Sequence, residues 1–310
     1  MRALKGRSLL NFRDYKRDEV DYLLNLSLNF KFMIKSGFST PKTLRGKNIL
    51  LIFEKPSTRT RVSMEVAIRK LGGNPIISRA DELQLGRGEP VSDTGKVLGR
   101  YVDAIAARVN KHESLLELQR SSGIPIINML SDKAHPLQAL ADFMTILEKF
   151  NKIDKIKIAF VGDGSDNVLS SLIELASYYN VRFSVASPKD LRPEEEVLRY
   201  ALKNAENSGF EIEFFEDPRD AVKGANVVYT DVWLSMGQEN MIEKKKKLSI
   251  YRVTKELMLY SAGNSIFMHC LPAKRGEEVD SEVIDGDRSV VWDQAENRLY
   301  TSMAVLSSLV

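Results

Sequence analysis

A run of hydroxyl and guanidinium side chains follows an apolar segment in the first third of the chain. Residues 48–53 read NILLIF, and residues 57–61 read STRTR. Ser57 is a good candidate for a helix N-cap, next to helical N–H groups that lack partners and carry partial positive charge. The planar guanidinium of Arg59 suits phosphate oxygens. The stretch therefore predicts an anion site at a helix start, with a capped helix and solvated arginines as the alternative.

Two further segments could complete such a site with groups for a carbonyl. Arg108 ends the apolar segment DAIAAR, and an arginine on a buried strand usually meets an anion or a carboxylate. The segment HPLQ supplies His135, which could donate to a carbonyl oxygen, and Gln138, which could orient an amide. A strand-end arginine that reaches solvent and a structural histidine are the alternatives.

Polar side chains also follow apolar segments in the second half of the chain. Asp231 comes after NVVYT, where it could hold an ammonium group or cap the next element, and Ser235 with the glycine beyond it suggests a mobile loop. Cys270 follows SIFMH and could be a nucleophile, a metal ligand or a small packed residue. No second cysteine and no HExxH pattern supports a metal site.

A dinucleotide fingerprint is present only in part. Gly162 and Gly164 lie at a predicted strand-to-helix turn, but Asn167 takes the place of the third glycine. The next strand, VRFSVAS, ends without the acidic residue that would hold a ribose. A nicotinamide-dependent dehydrogenase is therefore a weaker interpretation than a tight turn that exposes Asn167.

Alternating helical and strand-like segments must position these side chains, which predicts an α/β protein with parallel sheets. In such sheets the ligand crevice lies at the carboxyl ends of the strands, where these polar residues fall. We predict helices at 17–35, 58–71, 136–150, 167–179 and 295–310, and strands at 48–53, 103–108, 124–129, within KIKIAFVGDG, and at 181–186, 226–231, 266–271 and 289–293. The predicted domains are 1–135 completed by the closing helix 295–310, a connecting helix at 136–150, and 151–294.

Composition narrows the class of protein. The 310 residues are 43% hydrophobic and 28% charged, which is typical of a globular protein with a sizeable core. The net charge of +3 is too small to argue for a nucleic acid or membrane partner, and the sequence has no basic arm. No apolar stretch approaches membrane-spanning length, so we expect neither kind of partner. The basic run at 244–247 is expected to be a solvated segment. A single cysteine and no signal peptide fit a cytoplasmic protein.

In this order, STRTR at 57–61, HPLQ at 135–138, DVWLSMG at 231–237 and HCLP at 269–272 closely resemble the motifs of ornithine carbamoyltransferases. The first two motifs are shared with aspartate carbamoyltransferases, whereas the last two favour ornithine as acceptor. The resemblance implies a carbamoyl-phosphate domain and an ornithine domain, each a parallel-sheet α/β sandwich, with the active site in the cleft between them. It also implies a homotrimer or a multiple of trimers, and a reaction in arginine metabolism that needs no metal or organic cofactor.

The resemblance further implies roles for individual residues. Carbamoyl phosphate would be bound by Ser57, Thr58, Arg59, Thr60, Gln84, Arg108, His135, Gln138, Cys270, Leu271 and Arg298. Ornithine would be bound by Asn167, Asp231, Ser235 and Met236. Arg108, His135, Asp231 and Cys270 would be catalytic. Gln84 would reach a neighbouring subunit's site, and the bond from Leu271 to Pro272 is expected to be cis.

Several alternatives stay open at the level of sequence. The acceptor could be aspartate, putrescine or an acylated ornithine, although an aspartate enzyme should carry a lysine near position 84, where this chain has Gln84. The length of GDGSDN leaves open whether Asn167 or Asp166 fills the ornithine position. Arg61 is expected to be structural, paired with Glu54 or another nearby acid. A non-enzymatic binding protein would leave the polar clusters at the strand ends unexplained.

Overall fold

The computed structural model describes residues 4–84, 88–234 and 241–310. The chain divides into two compact units, one made of Met1–Met144 with Glu296–Val310 and the other of Thr145–Ala295. Each unit contains one parallel sheet, which confirms the predicted fold class of two parallel-sheet α/β domains.

The sheet of the first unit has, within the described residues, four parallel strands in the order β2-β1-β3-β4. They are β1 (Asn48–Phe53), β2 (Asn74–Arg79), β3 (Ala104–Arg108) and β4 (Ile126–Leu130). β1, β3 and β4 are nearly continuous apolar runs and are buried, as expected for strands covered by helices on both faces. β2 was not predicted, because this partly exposed edge strand carries a proline and polar ends.

The helices of the first unit are α1 (Arg17–Lys35), α2 (Thr58–Lys70), α3 (Val91–Leu98), α4 (His112–Ser122) and the first part of α5 (Pro136–Phe150). The predicted helix at 17–35 is confirmed, with its apolar stripe facing the core. Gly72 ends the turn after α2 with φ of +83°, a left-handed conformation that favours glycine.

The sheet of the second unit has, in the part of the chain that the structure describes, five parallel strands in the order β7-β6-β5-β8-β9. They are β5 (Lys157–Val161), β6 (Arg182–Ala186), β7 (Glu211–Phe215), β8 (Val227–Thr230) and β9 (Ile266–His269). The chain order reverses between β5 and β8 here, and between β1 and β3 in the first unit. Ligands of open parallel sheets bind at the carboxyl ends of strands beside such reversals.

The remaining helices are α6 (Asn167–Ala176), α7 (Glu195–Ser208), α8 (Pro218–Val222), α9 (Ile242–Leu248), α10 (Lys255–Met258), α11 (Ser281–Ile284) and α12 (Val291–Leu309). One boundary between the units lies in α5 and the other in α12. None of the helices in the described ranges is long and apolar enough to span a bilayer.

The predicted strand at 289–293 is wrong. Ser289 forms only a single bridge to Phe267, and α12 begins at Val291, four residues before the predicted closing helix. The Gln294 N–H already donates to the Val290 carbonyl, so the apolar run VVW is the buried start of a helix. A short apolar run does not by itself distinguish a strand from a buried helical turn.

Candidate active site

The helix that follows β1 begins in a way that suits an anion. Ser57 takes the N-cap position of α2, but its side chain makes no capping hydrogen bond. Arg108, at the end of β3, instead donates from Nη1 to Ser57 Oγ at 3.4 Å. The first turn of α2 contains no acidic residue, and Thr58 and Arg59 are exposed. The partial positive charge of this helix start is therefore not neutralised by its own side chains.

A buried arginine joins the start of α2 to the start of α5. Arg298, from α12, donates to Gln138 Oε1 at 2.5 Å and to Thr60 Oγ1 at 3.3 Å. Its Nη1 also lies 3.4 Å from His135 Nε2. All four side chains are buried. The structure thus brings together residues that the sequence places more than 230 positions apart, from Thr60 to Arg298.

Sequence reasoning missed Asp142, which sets the orientation of Gln138. The Gln138 Nε2 group donates to Asp142 Oδ1 at 2.8 Å, so its Oε1 must face Arg298. Asp142 is fully buried one helical turn after Gln138. An acid four residues after Gln138, and so on the same face of the predicted helix, was the signal that could have identified it.

His135 acts as a neutral group in this surrounding. A guanidinium can only donate, so His135 Nε2 accepts from Arg298 and the ring proton lies on Nδ1. Burial, with the positive charges of Arg298 and Arg108, holds the pKa of His135 well below its ordinary value. At neutral pH the imidazole can therefore donate a hydrogen bond without carrying charge.

A second group of site residues lies at the strand ends of the second unit. Asp231 follows β8, and Cys270 and Leu271 follow β9. The Asp231 carboxylate accepts from the Cys270 thiol and, at 2.7 Å, from the Val232 N–H. Cys270 and Leu271 thus lie with the predicted ornithine residue Asp231, whereas the other predicted carbamoyl-phosphate residues belong to the first unit.

His269 belongs to the same cluster, but its two ring nitrogens bond to the backbone of Leu271 and to Glu278. One ligand atom each from Asp231, His269 and Cys270 lies within 4.8 Å of the others, a spacing compatible with a metal ion. However, His269 Nδ1 accepts from the Leu271 N–H at 2.9 Å, and its Nε2 lies 3.2 Å from Glu278 Oε1. The histidine thus donates to Glu278 and offers no lone pair to a metal. The bond from Leu271 to Pro272 is cis, as predicted.

The start of α6 distinguishes Asp166 from Asn167. Asp166 is the N-cap, and its Oδ1 accepts from the N–H groups of Val168 at 2.8 Å and Leu169 at 2.9 Å. Asn167 is the first helical residue and is partly exposed, whereas Asp166 is buried. This arrangement favours Asn167 over Asp166 as the side chain that meets a ligand.

Carboxylates dominate the electrostatics around this helix start. Burial and the charge of Asp231 raise the pKa of Asp166 well above its ordinary value, and burial raises the pKa of Asp231. Asp163 is paired with Lys244 at 2.5 Å, and both side chains are less than 10% exposed. The prediction that the run at 244–247 is solvated is therefore wrong for Lys244. Asp166 and Asp231 form an environment that favours a bound cation.

Replacement of Asp166 by asparagine is expected to raise the free energy of unfolding at pH 8 by roughly 1 kcal/mol or more. Asparagine caps a helix as well as aspartate does. The pKa of Asp166 is higher in the folded protein than in the unfolded chain. The protonated carboxyl therefore stabilises the folded state at low pH, and this stabilisation is lost as the pH rises through the folded-state pKa. Urea unfolding at pH 8 and pH 3.5 should show the gain only at pH 8.

The matched control is Asp217→Asn, the N-cap of α8. Hydrogen bonds from Arg219 lower the pKa of the partly exposed Asp217, so its contribution to stability is present at pH 8 and is lost as the pH falls. This variant should lose stability at pH 8. A loss of stability at pH 8 in Asp166→Asn as well would contradict our account of the buried charge.

Four residues singled out in the sequence are not brought to the site by the described structure. Ser235 and Met236 lie outside the described residues. Gln84 is exposed, and within the described ranges no hydrogen bond joins its side chain to another predicted site residue. Glu54 accepts from the Asn110 N–H at 2.5 Å and does not pair with Arg61. Arg61 is exposed and makes no ion pair with any described residue, so the expected pairing is wrong.

Comparison with known proteins agrees with the arrangement of these two groups of residues. Residues 7–148 match the carbamoyl-P binding domain of the aspartate/ornithine carbamoyltransferases, and residues 154–309 match their Asp/Orn binding domain. The chain is 56% identical to the ornithine carbamoyltransferase of Sulfolobus acidocaldarius, over 99% of this chain and 100% of that protein. The chain is 55% identical to the ornithine carbamoyltransferase of Sulfurisphaera tokodaii, over 99% of this chain and 100% of that protein.

Solved structures give the same result. The structure of ornithine carbamoyltransferase from Pyrococcus furiosus superposes with a TM-score of 0.95 at 47% identity, covering 99% of this chain and 97% of that one. The structure from Thermus thermophilus has a TM-score of 0.87 at 40% identity, with 97% of both chains covered. The chain belongs to the aspartate/ornithine carbamoyltransferase family.

Proposed function

We propose that this protein transfers the carbamoyl group from carbamoyl phosphate to the side-chain amine of L-ornithine, giving L-citrulline and phosphate. The observation that carries the proposal is the opposite charge of the two groups of residues. The first unit presents guanidinium groups and an uncapped helix start, which suit an anion. The second unit presents buried carboxylates, which suit an ammonium group.

In the first unit, the phosphate of carbamoyl phosphate would lie at the start of α2. The backbone N–H groups there, the hydroxyls of Ser57 and Thr58, and the guanidinium of Arg59 are suitable donors to its oxygens. Arg108, adjacent to Ser57, would extend from the phosphate to the carbamoyl group.

The carbamoyl oxygen would be stabilised by donors behind the phosphate. Thr60, Arg108 and the Nδ1–H of neutral His135 are the candidates. Arg298, which also bonds to Gln138, contacts Thr60 and His135, and Arg108 contacts Ser57. Negative charge grows on this oxygen as the amine attacks the carbon. Donors that are already oriented stabilise that charge without reorganisation, and removing one typically raises the barrier by roughly 3–4 kcal/mol.

In the second unit, the acceptor amine must lose a proton before it attacks. An alkyl amine such as that of lysine has a pKa of about 10.4 in water, so most of it is protonated at neutral pH. Asp231 and the Cys270 thiol that donates to it are the candidates for selecting the neutral amine. The new nitrogen–carbon bond then replaces the carbon–oxygen bond to phosphate. The leaving phosphate takes one of the two protons of the neutral amine, and the other stays on the nitrogen of citrulline.

The same carboxylates support ornithine as the acceptor. Asp231 and Asp166 would attract the ammonium groups of ornithine and repel the second carboxylate of aspartate. Asn167 supplies amide groups for the α-carboxylate, which putrescine lacks. Ser235 and Met236 stay predictions as further ornithine contacts.

We propose that the protein is a homotrimer or a multiple of trimers and works in the cytoplasm. Exposed apolar side chains on the first unit support association, since Val62, Ile76 and Tyr101 are each more than 40% exposed. Ile76 lies on the edge strand β2, which precedes Gln84. In a trimer Gln84 would contact the carbamoyl phosphate of a neighbouring subunit. Light scattering would test the oligomer, and cell fractionation the location.

An acceptor panel tests the proposed function directly. The protein is incubated with carbamoyl phosphate and with L-ornithine, L-aspartate, putrescine or N-acetyl-L-ornithine, and the carbamoylated product and phosphate are measured. We expect kcat/KM for ornithine to exceed that for any other acceptor by roughly 100-fold or more. The reason is that a wrong acceptor would leave buried polar groups of the site without hydrogen-bond partners. Reactions without protein correct for spontaneous decomposition. Preference for another acceptor would contradict the proposal.

A further inference from the structure

The turn that leads into His135 is held by side chains rather than by a strand or a helix. The Ser131 N–H donates to the Ala134 carbonyl at 2.9 Å, and the Ala134 N–H donates to Ser131 Oγ at 3.2 Å. Asn128 Nδ2 donates to the Ala134 carbonyl at 3.2 Å and to Ser131 Oγ at 3.3 Å. Both backbone groups of the residue before His135 are therefore bonded within this turn.

The Ser131 hydroxyl needs an acceptor for its own proton. The Asn128 amide and the Ala134 N–H can only donate, so Ser131 Oγ accepts from both. Its oxygen lies 2.8 Å from His112 Nδ1 and 3.4 Å from the Ala134 carbonyl oxygen, and both of these atoms can accept a hydrogen bond. The shorter contact assigns the proton to His112, whose ring must then be neutral and protonated on Nε2.

His112 contacts the same turn a second time through its backbone. As the first residue of α4, it donates its N–H to Asp132 Oδ1 at 2.8 Å. His112, Ser131 and Asn128 are all buried. Little water can replace a lost hydrogen bond at such a place, so the network holds the turn in one conformation.

We propose that His112 is a positioning residue for His135, acting as the acceptor of the Ser131 hydroxyl proton and so fixing the turn that orients the His135 imidazole. The inference rests on the proposed function, in which His135 donates to the carbamoyl oxygen. His112 itself does not touch the substrate.

Protonation of His112 would undo this arrangement. A proton on Nδ1 converts the acceptor into a donor, and the Ser131 hydroxyl must turn from His112 toward the more distant Ala134 carbonyl. Burial lowers the pKa of His112 below its ordinary value, with Lys133 and Arg13 acting in the same direction and Asp132 and Glu113 opposing them. The turn should therefore stay intact at neutral pH and loosen only in acid.

The test compares the wild type with His112→Ala, His112→Asn and Ser131→Ala. His112→Ala and Ser131→Ala should each lower kcat/KM for carbamoyl phosphate about tenfold at pH 8, with the KM for ornithine unchanged, because a misplaced group slows the reaction. The side-chain oxygen of the asparagine in His112→Asn offers an acceptor near the position of Nδ1, so this variant should restore most of the activity. The asparagine does not titrate, so the activity of His112→Asn should decline at a lower pH than that of the wild type.

The matched control is Lys111→Ala, which should stay within about twofold of the wild type because Lys111 lies 3.9 Å from Asp132 and is exposed. Wild-type kinetics in His112→Ala, or a wild-type acid limb in His112→Asn, would overturn the inference. If His112→Ala does not fold, His112→Asn and Ser131→Ala decide the question.

Titration calorimetry tests the inference without the acceptor reaction. His112→Ala should bind carbamoyl phosphate about tenfold more weakly than the wild type but inorganic phosphate equally well, since phosphate alone does not reach His135. Equal weakening of both ligands would overturn the positioning role. A wild type that binds carbamoyl phosphate but carbamoylates no ornithine would contradict the proposed function instead.

Discussion

Replacement of Arg59 by alanine is expected to lower kcat/KM for carbamoyl phosphate about 100-fold, which corresponds to about 2.7 kcal/mol. The exposed guanidinium at the start of α2 would make charge-assisted hydrogen bonds to the phosphate, each worth roughly 1.5–3 kcal/mol. Because the charge on the phosphate changes as it leaves, we expect both a higher KM for carbamoyl phosphate and a lower kcat. Steady-state kinetics at saturating ornithine measure both.

Arg61→Ala is the matched control for this variant. Arg61 lies on the same helix, is equally an exposed arginine, and makes no ion pair with any described residue. Its removal changes the net charge by the same amount but should leave kcat/KM within about twofold. Equal losses in both variants would indicate a general electrostatic effect, and unchanged kinetics in Arg59→Ala would refute the phosphate assignment.

Replacement of Asp231 by asparagine is expected to lower kcat/KM for ornithine roughly 1,000-fold. Removing one member of a buried charge pair typically costs roughly 2–5 kcal/mol, and here the ammonium of ornithine would lose its carboxylate. Asparagine keeps the shape of the side chain and can still accept from the Val232 N–H. The KM for carbamoyl phosphate should change far less, because its predicted phosphate contacts lie in the first unit.

Asp220→Asn is the control for loss of an acidic charge in the second unit. Asp220 is exposed in the first turn of α8, so the variant should keep wild-type kinetics. The acceptor panel adds a second readout, since Asp231→Asn should show a weaker preference for ornithine over aspartate. An Asp231→Asn protein with unchanged kcat/KM for ornithine would exclude Asp231 from the acceptor site.

Local patterns sufficed to predict the elements that carry the site. The apolar run at 48–53 is long enough for a buried strand, and a helix follows it as the N-cap pattern predicts. The helix at 136–150 is confirmed because a proline that suits the first turn precedes a helical apolar pattern. The same local reasoning failed at 289–293, where the buried start of α12 has the composition of a strand.

The sequence also predicted some properties of the candidate site and not others. The types and order of the residues after each strand predicted an anion site, a carbonyl site and an ammonium site. They could not predict that Asp142 orients Gln138, that Lys244 pairs with Asp163, or that Glu278 holds His269. They also left Asp166 and Asn167 equivalent, until the hydrogen bonds at the start of α6 distinguished them.

What the sequence by itself determined is therefore the set of chemical groups and the elements that carry them, since caps and apolar periodicity act between residues a few positions apart. The tertiary structure decided which groups meet, which nitrogen of each histidine carries the proton, and which carboxylates stay buried. Those properties depend on contacts such as that of Arg298 with Thr60, which exist only when distant segments pack together. Burial then removes the water that would otherwise make the groups behave alike.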